Sequence, residues 1–379
     1  MPDQPSTVAN LQGLVKMSEN PVCQRWIPSR IRELKAYQVA SAQGLIKLDA
    51  MENPYVWDEG LRDAWLERLA GVPLNRYPDP AAEALINTLT KCFSVPDKAS
   101  LLLGNGSDEL IQMVALAVGG PGRVMLAPEP SFSMYQVIAK ITGCDYVDVP
   151  RHSDFSVDGD ALLSAIDQHD PCCVFLACPN NPTGNSCDPA LIEKVARASS
   201  GIVLVDEAYH AFCGESFMDR AGALDNVLVM RTFSKLGLAA LRLGFLAGPK
   251  ALVDEINKVR LPYNISTLTQ ITAEFALEHL NWFEDKAQAI CHARDDLSKA
   301  LDAMPGVTAY PSKANFVLFR LPTAKGNLVF ESLRQSGILV KNLHGAHDAL
   351  SDCLRVTVST ASQNQLFLDA LTASLDDGG

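Results

Sequence analysis

Lys235 stands at the end of an apolar run, 227–230, continued by Arg231-Thr232-Phe233-Ser234. Upstream, a second apolar run, 201–205, ends in Asp206, with Tyr209 close behind. An amine, a carboxylate and a phenol at the exits of consecutive buried strands can together hold an aromatic aldehyde. The amine takes the aldehyde as an imine, the carboxylate pairs with a ring nitrogen, and the phenol bonds a ring hydroxyl. The pattern therefore predicts a pyridoxal 5′-phosphate site with Lys235, Asp206 and Tyr209 as its chemical core.

Other apolar runs end in compatible parts. After 99–103 comes Gly104-Asn105-Gly106-Ser107-Asp108-Glu109, opening a helix. Glycines admit an anion to the backbone, and a helix start offers free N–H groups, so this is a phosphate-site candidate. An ordinary capped helix start would read the same way. A third glycine and a Gly-Lys-Ser/Thr are both missing, which excludes a dinucleotide fingerprint and a P-loop. After 123–127, Phe132 could stack on a planar ring or simply fill the core. After 172–177, Pro179-Asn180-Asn181-Pro182-Thr183-Gly184 is either a plain turn or a rigid loop aiming Asn181 at a ring hydroxyl. Asp206 could equally cap a helix, and Tyr209 could be core. Beyond Lys235, Ser234 and Arg242 could take the cofactor phosphate, Arg242 as a two-pronged donor. Near an imine and a pyridinium the lysine pKa falls, which suits nucleophilic and proton-transfer roles.

These parts need a scaffold. Strand-length runs at 99–103, 123–127, 144–149, 172–177, 201–205, 227–231 and 243–247 are apolar almost throughout, as strands buried on both faces are. Amphipathic stretches at 109–118, 132–142, 157–168 and 189–199 alternate with them, which predicts an α/β fold with a mainly parallel central sheet. After Pro262 the pattern predicts one long helix over 267–303, strands at 315–319, 338–341 and 354–358, and a final helix at 361–375. This is a smaller α+β unit. The expected division is an N-terminal arm at 1–50 with a helical patch at 30–37, a large domain at 51–265, and a small domain at 266–379 that packs with part of the arm.

A formal net charge of −12 argues against general nucleic-acid or anionic-membrane binding. No apolar stretch reaches membrane-span length, and no basic start followed by an apolar core announces secretion. The ten cysteines include no Cys-x-x-Cys and are expected to be reduced core thiols of a cytoplasmic protein. His344 and His347 form a His-x-x-His pair without a third ligand, so no metal is expected.

Asn-Pro-Thr-Gly at 181–184, Asp-Glu-Ala-Tyr at 206–209 and Ser234-Lys235 resemble the marks of the fold-type-I pyridoxal-phosphate enzymes, specifically the class II aminotransferases. The resemblance covers the chain beyond about residue 25. Within that group, 48–55, 76–80, 104–109, 258–264, Ala314-Asn315-Phe316 and 354–358 resemble the histidinol-phosphate aminotransferase family.

The resemblance implies a homodimer with composite active sites, exchanging an amino group between L-histidinol phosphate and 2-oxoglutarate in histidine biosynthesis. Imidazole-acetol phosphate and L-glutamate are the implied products. It assigns the imine and proton transfer to Lys235, the pyridine nitrogen to Asp206, the ring hydroxyl to Asn181 and Tyr209, and ring stacking to Phe132. Gly106, Ser107, Ser234 and Arg242 would hold the phosphate, with Asp108 close by. Arg355 would bind the substrate's anionic end, and an arginine accepts a phosphate ester or a carboxylate alike. Asn53 joins the substrate set, Tyr77 would reach across the dimer interface, and Tyr37 would close over the substrate. The chain departs from the family where Met51 replaces a usually polar residue and Phe132 a frequent tyrosine. Lys235-to-Arg242 is also one residue shorter than in many aminotransferases. An aromatic aminotransferase, a threonine-phosphate decarboxylase and a non-catalytic protein on the same fold are the alternatives.

Overall fold

The apolar runs become strands at 173–177, 202–206 and 227–232 that are buried at every position, whereas the run at 144–149, expected to be covered likewise, becomes an edge strand that is mostly exposed or half-buried. The computed structural model describes residues 20–36 and 40–376. In its larger sheet, β2 (Ala99–Gly104), β3 (Val124–Glu129), β4 (Asp145–Pro150), β5 (Cys173–Ala177), β6 (Ile202–Asp206), β7 (Val227–Thr232) and β8 (Gly244–Pro249) follow β1 (Ile46–Leu48), which belongs elsewhere. The strand order is β2-β8-β7-β6-β5-β3-β4. Only β8 runs against its neighbours, so the carboxyl ends of the other six share one edge.

Side chains alternate across each strand. Val174, Leu176, Val203, Val205, Val227 and Val229 point into one core. It is closed by Leu162 and Ile166 of helix Gly159–His169 and by Ile192 and Val195 of helix Pro189–Ala198. Phe175, Leu204, Leu228 and Met230 point the other way. They meet Leu110 and Val114 of helix Ser107–Val118, Tyr135 and Ile138 of Met134–Thr142, and Val253 of Lys250–Asn257. Each fully buried side chain of this size contributes roughly 1.5–3 kcal/mol. That anchoring makes the strand ends a rigid platform.

The second sheet has β1, β9 (Thr308–Ala309), β10 (Phe316–Arg320), β11 (Ile338–Asn342) and β12 (Cys353–Thr357) in the order β1-β11-β12-β10-β9. β1 adds in parallel, Ile46 opposite Ile338, and the other pairs are antiparallel. Val317, Phe319, Val340, Leu354 and Val356 pack beneath helix Ala361–Asp376 and part of helix Leu280–Asp302.

The single helix expected over 267–303 is two, Thr267–Glu278 and Leu280–Asp302, separated at His279 (φ −114°, ψ 29°). Helical apolar spacing continues across the joint, so periodicity does not reveal it. The bend lets Phe283 reach the core of the large sheet while Ile290, Leu297 and Leu301 fill that of the small one. Helices Glu59–Leu69, Glu83–Cys92, Lys250–Asn257 and Gly326–Gln335, and strands β1 and β9, had no predicted counterpart. Residues 20–36 form two short helices, Pro21–Trp26 and Ser29–Arg32, the first capped by Asn20, which accepts from Val22 N–H at 2.9 Å. The helical patch expected at 30–37 is therefore shorter and begins earlier, and Tyr37 lies outside the described residues. Among the described residues no helix is long and apolar enough to cross a membrane.

Candidate active site

β6 ends on Asp206, paired in register with Met230 of β7, so the carboxylate and the turn bearing Lys235 leave the sheet side by side. Asp206 is buried. Its Oδ1 accepts from Ala208 N–H at 3.0 Å and its Oδ2 from the Tyr135 hydroxyl at 2.7 Å. Burial pushes the carboxyl up to about 6, against the pull of those two hydrogen bonds. A cationic ring N–H would favour its ionised form.

After β7 the chain makes a wide π-type turn, Ser234–Leu238, a form that recurs at functional sites. Gly237 takes φ 130°, which a side chain would strain. Lys235 Nζ donates to Ala50 O at 3.1 Å and lies 5.9 Å from the Tyr209 ring centroid. Burial and the Arg355 guanidinium push the amine down to about 8, with Glu52 and Asp108 opposing. A substantial neutral fraction is therefore present near pH 8.

Gly106, at φ 88°, leads into helix Ser107–Val118. A Cβ there would lie 2.5 Å from Arg242 Nη2, so glycine is what allows the guanidinium over the helix start. Arg242 itself is held at φ 48°, and its Nη1 donates to Ser234 Oγ at 3.3 Å. Its Nη2 is 3.7 Å from Asp108 Oδ2, and Asp108 Oδ1 is buried with no hydrogen-bond partner. Burial raises the Asp108 carboxyl.

These groups enclose a cavity of about 220 Å³ lined by Ser107, Phe132, Asn181, Asp206, Lys235 and Arg242, among others. Pyridoxal 5′-phosphate presents a dianion, a basic ring nitrogen, an aldehyde and a ring hydroxyl. The cavity offers a guanidinium with one serine at a helix start and another in the lysine turn, a buried carboxylate, an amine of lowered pKa, an amide and a phenol. The donor set fits the cofactor.

Asn181 Oδ1 accepts from Arg355 Nη1, which leaves the amide NH₂ as the donating end. Arg355 Nη2 donates to Asp49 O at 2.8 Å, and the guanidinium lies 5.1 Å over the Phe316 ring. The loop before Asn181 is tied by Asn180, which bonds Ser131 Oγ at 2.7 Å, Pro130 O at 3.0 Å and Thr183 Oγ1 at 2.7 Å. The Tyr209 hydroxyl, kept protonated by burial, donates to Met51 Sδ at 3.5 Å. Met51 has φ 55° and is fixed through its N–H to Thr357 Oγ1 and its carbonyl to Asn315 Nδ2, both at 2.9 Å.

Gly106 and Arg355 do not line the cavity but touch the lining residues Arg242 and Asn181, and three further predicted residues are not gathered here. Tyr77 is 80% exposed, stacks on Tyr263 at 4.5 Å, and does not line the cavity. Asn53 braces the lysine turn instead, donating to Leu236 O at 3.0 Å. Tyr37 is not among the described residues. Sequence reasoning missed the carbonyls of Asp49 and Ala50, which no side-chain pattern marks. It also missed Tyr135, for which a signal existed: a tyrosine on the apolar stripe of a helix needs a buried acceptor.

The expectation of reduced cysteines is corrected at one pair. Cys178 and Cys187 form a disulfide bracketing the Asn181 loop, with Cα atoms 5.5 Å apart, and the other eight are free. The loop returns its ends to neighbouring positions, a proximity that linear spacing does not reveal. Among the described residues no group of His, Cys, Asp and Glu is placed to hold a metal.

A lysine, a carboxylate and an anion cradle around one cavity, at the carboxyl edge of a mostly parallel sheet, define a class of cofactor-dependent transferase. Residues 43–371 match the family described as aminotransferase class I and II, and the chain belongs to it. It is 52% identical, over 94% of its own length and 99% of the relative's, to histidinol-phosphate aminotransferase 2 of Nitrosococcus oceani. In fold it is similar to histidinol-phosphate aminotransferase of Sinorhizobium meliloti in complex with pyridoxal-5′-phosphate. The TM-score is 0.84 at 21% identity, covering 94% of this chain and 98% of that one. It is also similar in fold to L-threonine-O-3-phosphate decarboxylase of Porphyromonas gingivalis, with a TM-score of 0.73 at 24% identity, covering 88% and 100%. One fold thus serves two chemistries, and the fold alone does not choose between them.

Proposed function

We propose that this protein is a pyridoxal-phosphate-dependent transaminase acting between L-histidinol phosphate and 2-oxoglutarate in histidine biosynthesis. The observation that carries the reaction class is the pairing, across one cavity, of a lysine with a pKa near 8 and a buried carboxylate. The identity to histidinol-phosphate aminotransferases supports the substrate.

When bound, the cofactor supplies the electron sink that stabilises negative charge at the donor's α-carbon. Arg242, Ser107, Ser234 and the backbone at Gly106 would hold its phosphate. Asp206 would hold its ring nitrogen, Asn181 and Tyr209 its hydroxyl, and Phe132 would lie against its ring. Lys235, in its neutral form, would be the group that accepts and returns the donor's α-proton at Nζ. Ala50 O holds the amine in place while it does so. Arg355 receives the substrate's anion, phosphate in one half-reaction and carboxylate in the other, which suits ping-pong kinetics.

The protein works as a homodimer in this reading. Tyr77, Leu74 and Leu261 are 80%, 76% and 73% exposed, a surface suited to a second copy, and Tyr77 would complete the partner's site. The arm at 1–50, the cofactor domain at 51–265 and the small domain at 266–379 are its working parts, with β1 of the arm serving the small sheet. A cytoplasmic setting accords with the eight free cysteines, while the Cys178–Cys187 disulfide runs against it.

The test is a half-reaction panel. Purified holoenzyme is given single donors: L-histidinol phosphate, histidinol, an aromatic amino acid, and L-threonine phosphate. Loss of bound-cofactor absorbance and release of CO₂ are both followed. Histidinol phosphate should discharge the cofactor fastest and without CO₂. Preference for an aromatic acid, or CO₂ from threonine phosphate, would replace this reading, and silence to all donors would leave a binding protein.

A further inference from the structure

Tyr135 belongs to none of the predicted site residues. It is fully buried in the first turn of helix Met134–Thr142. Its ring stacks on Phe175 of β5, with centroids 4.5 Å apart and planes 3° from parallel, and meets Phe132 edge to face at 5.6 Å. Its hydroxyl reaches Asp206 Oδ2 at 2.7 Å. One side chain therefore touches both the ring-covering aromatic and the ring-nitrogen carboxylate.

We propose that Tyr135 is a positioning residue that fixes the Asp206 carboxylate, ionised and correctly turned, against the cofactor's ring nitrogen. This rests on the pyridoxal-phosphate reading above. A buried phenol can donate one hydrogen bond, and a bond to a carboxylate is among the stronger kinds. With Ala208 N–H on Oδ1 and Tyr135 on Oδ2, each carboxylate oxygen accepts one bond, and the carboxylate plane is set. Protonating either oxygen would disturb that arrangement.

The surroundings make the donor matter. Asp108, Glu207 and Tyr209 face Asp206, and the two acids favour its protonated form. Around Tyr135 stand Glu129, Tyr146 and Arg151. Burial and the neighbouring acids keep the Tyr135 hydroxyl protonated, so it remains a donor at any working pH. Without it, the proton shared between ring nitrogen and carboxylate moves toward the carboxylate, and the electron sink weakens.

Tyr135→Phe removes the hydroxyl and keeps the stack on Phe175. In holoenzyme loaded with ring-¹⁵N pyridoxal phosphate, the nitrogen signal should move toward the unprotonated pyridine position. The single-turnover rate with histidinol phosphate should fall about 10–100-fold, the loss of a hydrogen bond to a charged group, with KM for the donor nearly unchanged. A second variant guards against misfolding. 3,5-Difluorotyrosine at position 135 is nearly the same size and a stronger donor, and should shift the signal the opposite way. Asp206→Asn is the reference. If it moves the nitrogen signal while neither change at 135 does, the positioning role is overturned and the cofactor reading stands. If Asp206→Asn itself leaves signal and rate unaltered, the reading beneath the proposal fails.

Discussion

On one side of the cavity, Asp206, Asn181, Ser107 and Lys235 hang from the ends of strands in the seven-stranded sheet, each within a few residues of a buried strand end. On the other, Ala50 and Met51 come from a segment without regular structure, and next to them Arg355, from the middle of β12 in the second sheet, reaches the lining residue Asn181. The first side inherits its rigidity from packing. On the second, Arg355 rests on a buried strand, but the segment at 49–51 is held by individual hydrogen bonds: Arg355 to Asp49 O, Lys235 to Ala50 O, Met51 to Thr357 and Asn315. A cofactor that stays bound through both half-reactions suits the rigid wall. Two substrates that alternate, one a phosphate ester and one a dicarboxylate, suit a wall joined by bonds that can readjust.

The difference can be broken most severely on the rigid side. Lys235→Ala should abolish turnover, by a factor on the order of 10⁴, while the protein still binds pyridoxal phosphate. Borohydride should fix the cofactor on Lys235 of the native protein. Peptide mapping to any other lysine would collapse the assignment. A pH signature accompanies it. The neutral amine captures the cofactor, and the Lys235 pKa is lowered from 10.5 to about 8. The rate of capture by apoprotein should therefore climb with pH up to about 8 and level off above it, as stopped-flow absorbance would record. An ordinary lysine would show a rate still climbing beyond pH 10. Asp206→Asn should be next in size. Removing the charge at nearly constant shape should slow the chemical step by about 10²–10³, and near-native single-turnover rates with saturated cofactor would sink its role.

The same division governs what the sequence could reveal. Continuous apolar runs announce doubly covered strands, and in such a sheet the residue after each run faces the ligand edge. Lys235, Asp206, Asn181 and Ser107 were legible for that reason, and each predicted large-sheet strand falls within two residues of an observed one. On the other wall the contacts are made by backbone carbonyls, whose placement depends on where two sheets meet. Ala50 O and Asp49 O leave no trace in residue types. Arg355 was reached through family resemblance, not pattern. The break at His279 escaped because both helices keep their apolar stripe, each toward a different core. Tyr135 was hidden for a simpler reason: a tyrosine on an apolar helix face reads as core, and it is core, with a polar tip.

Arg355→Ala tests the adjustable wall. One guanidinium serving both anions predicts a KM increase of about 10–100-fold for histidinol phosphate and 2-oxoglutarate alike, the scale of a lost charged hydrogen bond. A rise for one substrate only would show that separate groups read the two anions. The variant carries a second consequence, because Arg355 is the leading charge that lowers Lys235. Its removal should move the midpoint of cofactor capture to higher pH.

The smallest expected effect belongs to Tyr77. It is exposed and stacked on Tyr263, away from its own cavity. If it serves the partner's site, its hydroxyl meets the donor's phosphate at the rim, where solvent competes for the bond. Tyr77→Phe should then raise KM for histidinol phosphate by about 3–10-fold, the worth of one ordinary hydrogen bond, and leave 2-oxoglutarate nearly untouched. Subunit mixing gives the sharper measurement. Lys235→Ala chains and chains with a large replacement at Tyr77 are each poor alone. In a mixed dimer, one site takes both defects and the other takes an intact lysine and an intact tyrosine. Activity should therefore reappear on mixing, approaching one working site per exchanged dimer. If exchange is confirmed by mass and no activity returns, Tyr77 acts within its own chain or not at all, and the adjustable wall ends at Arg355.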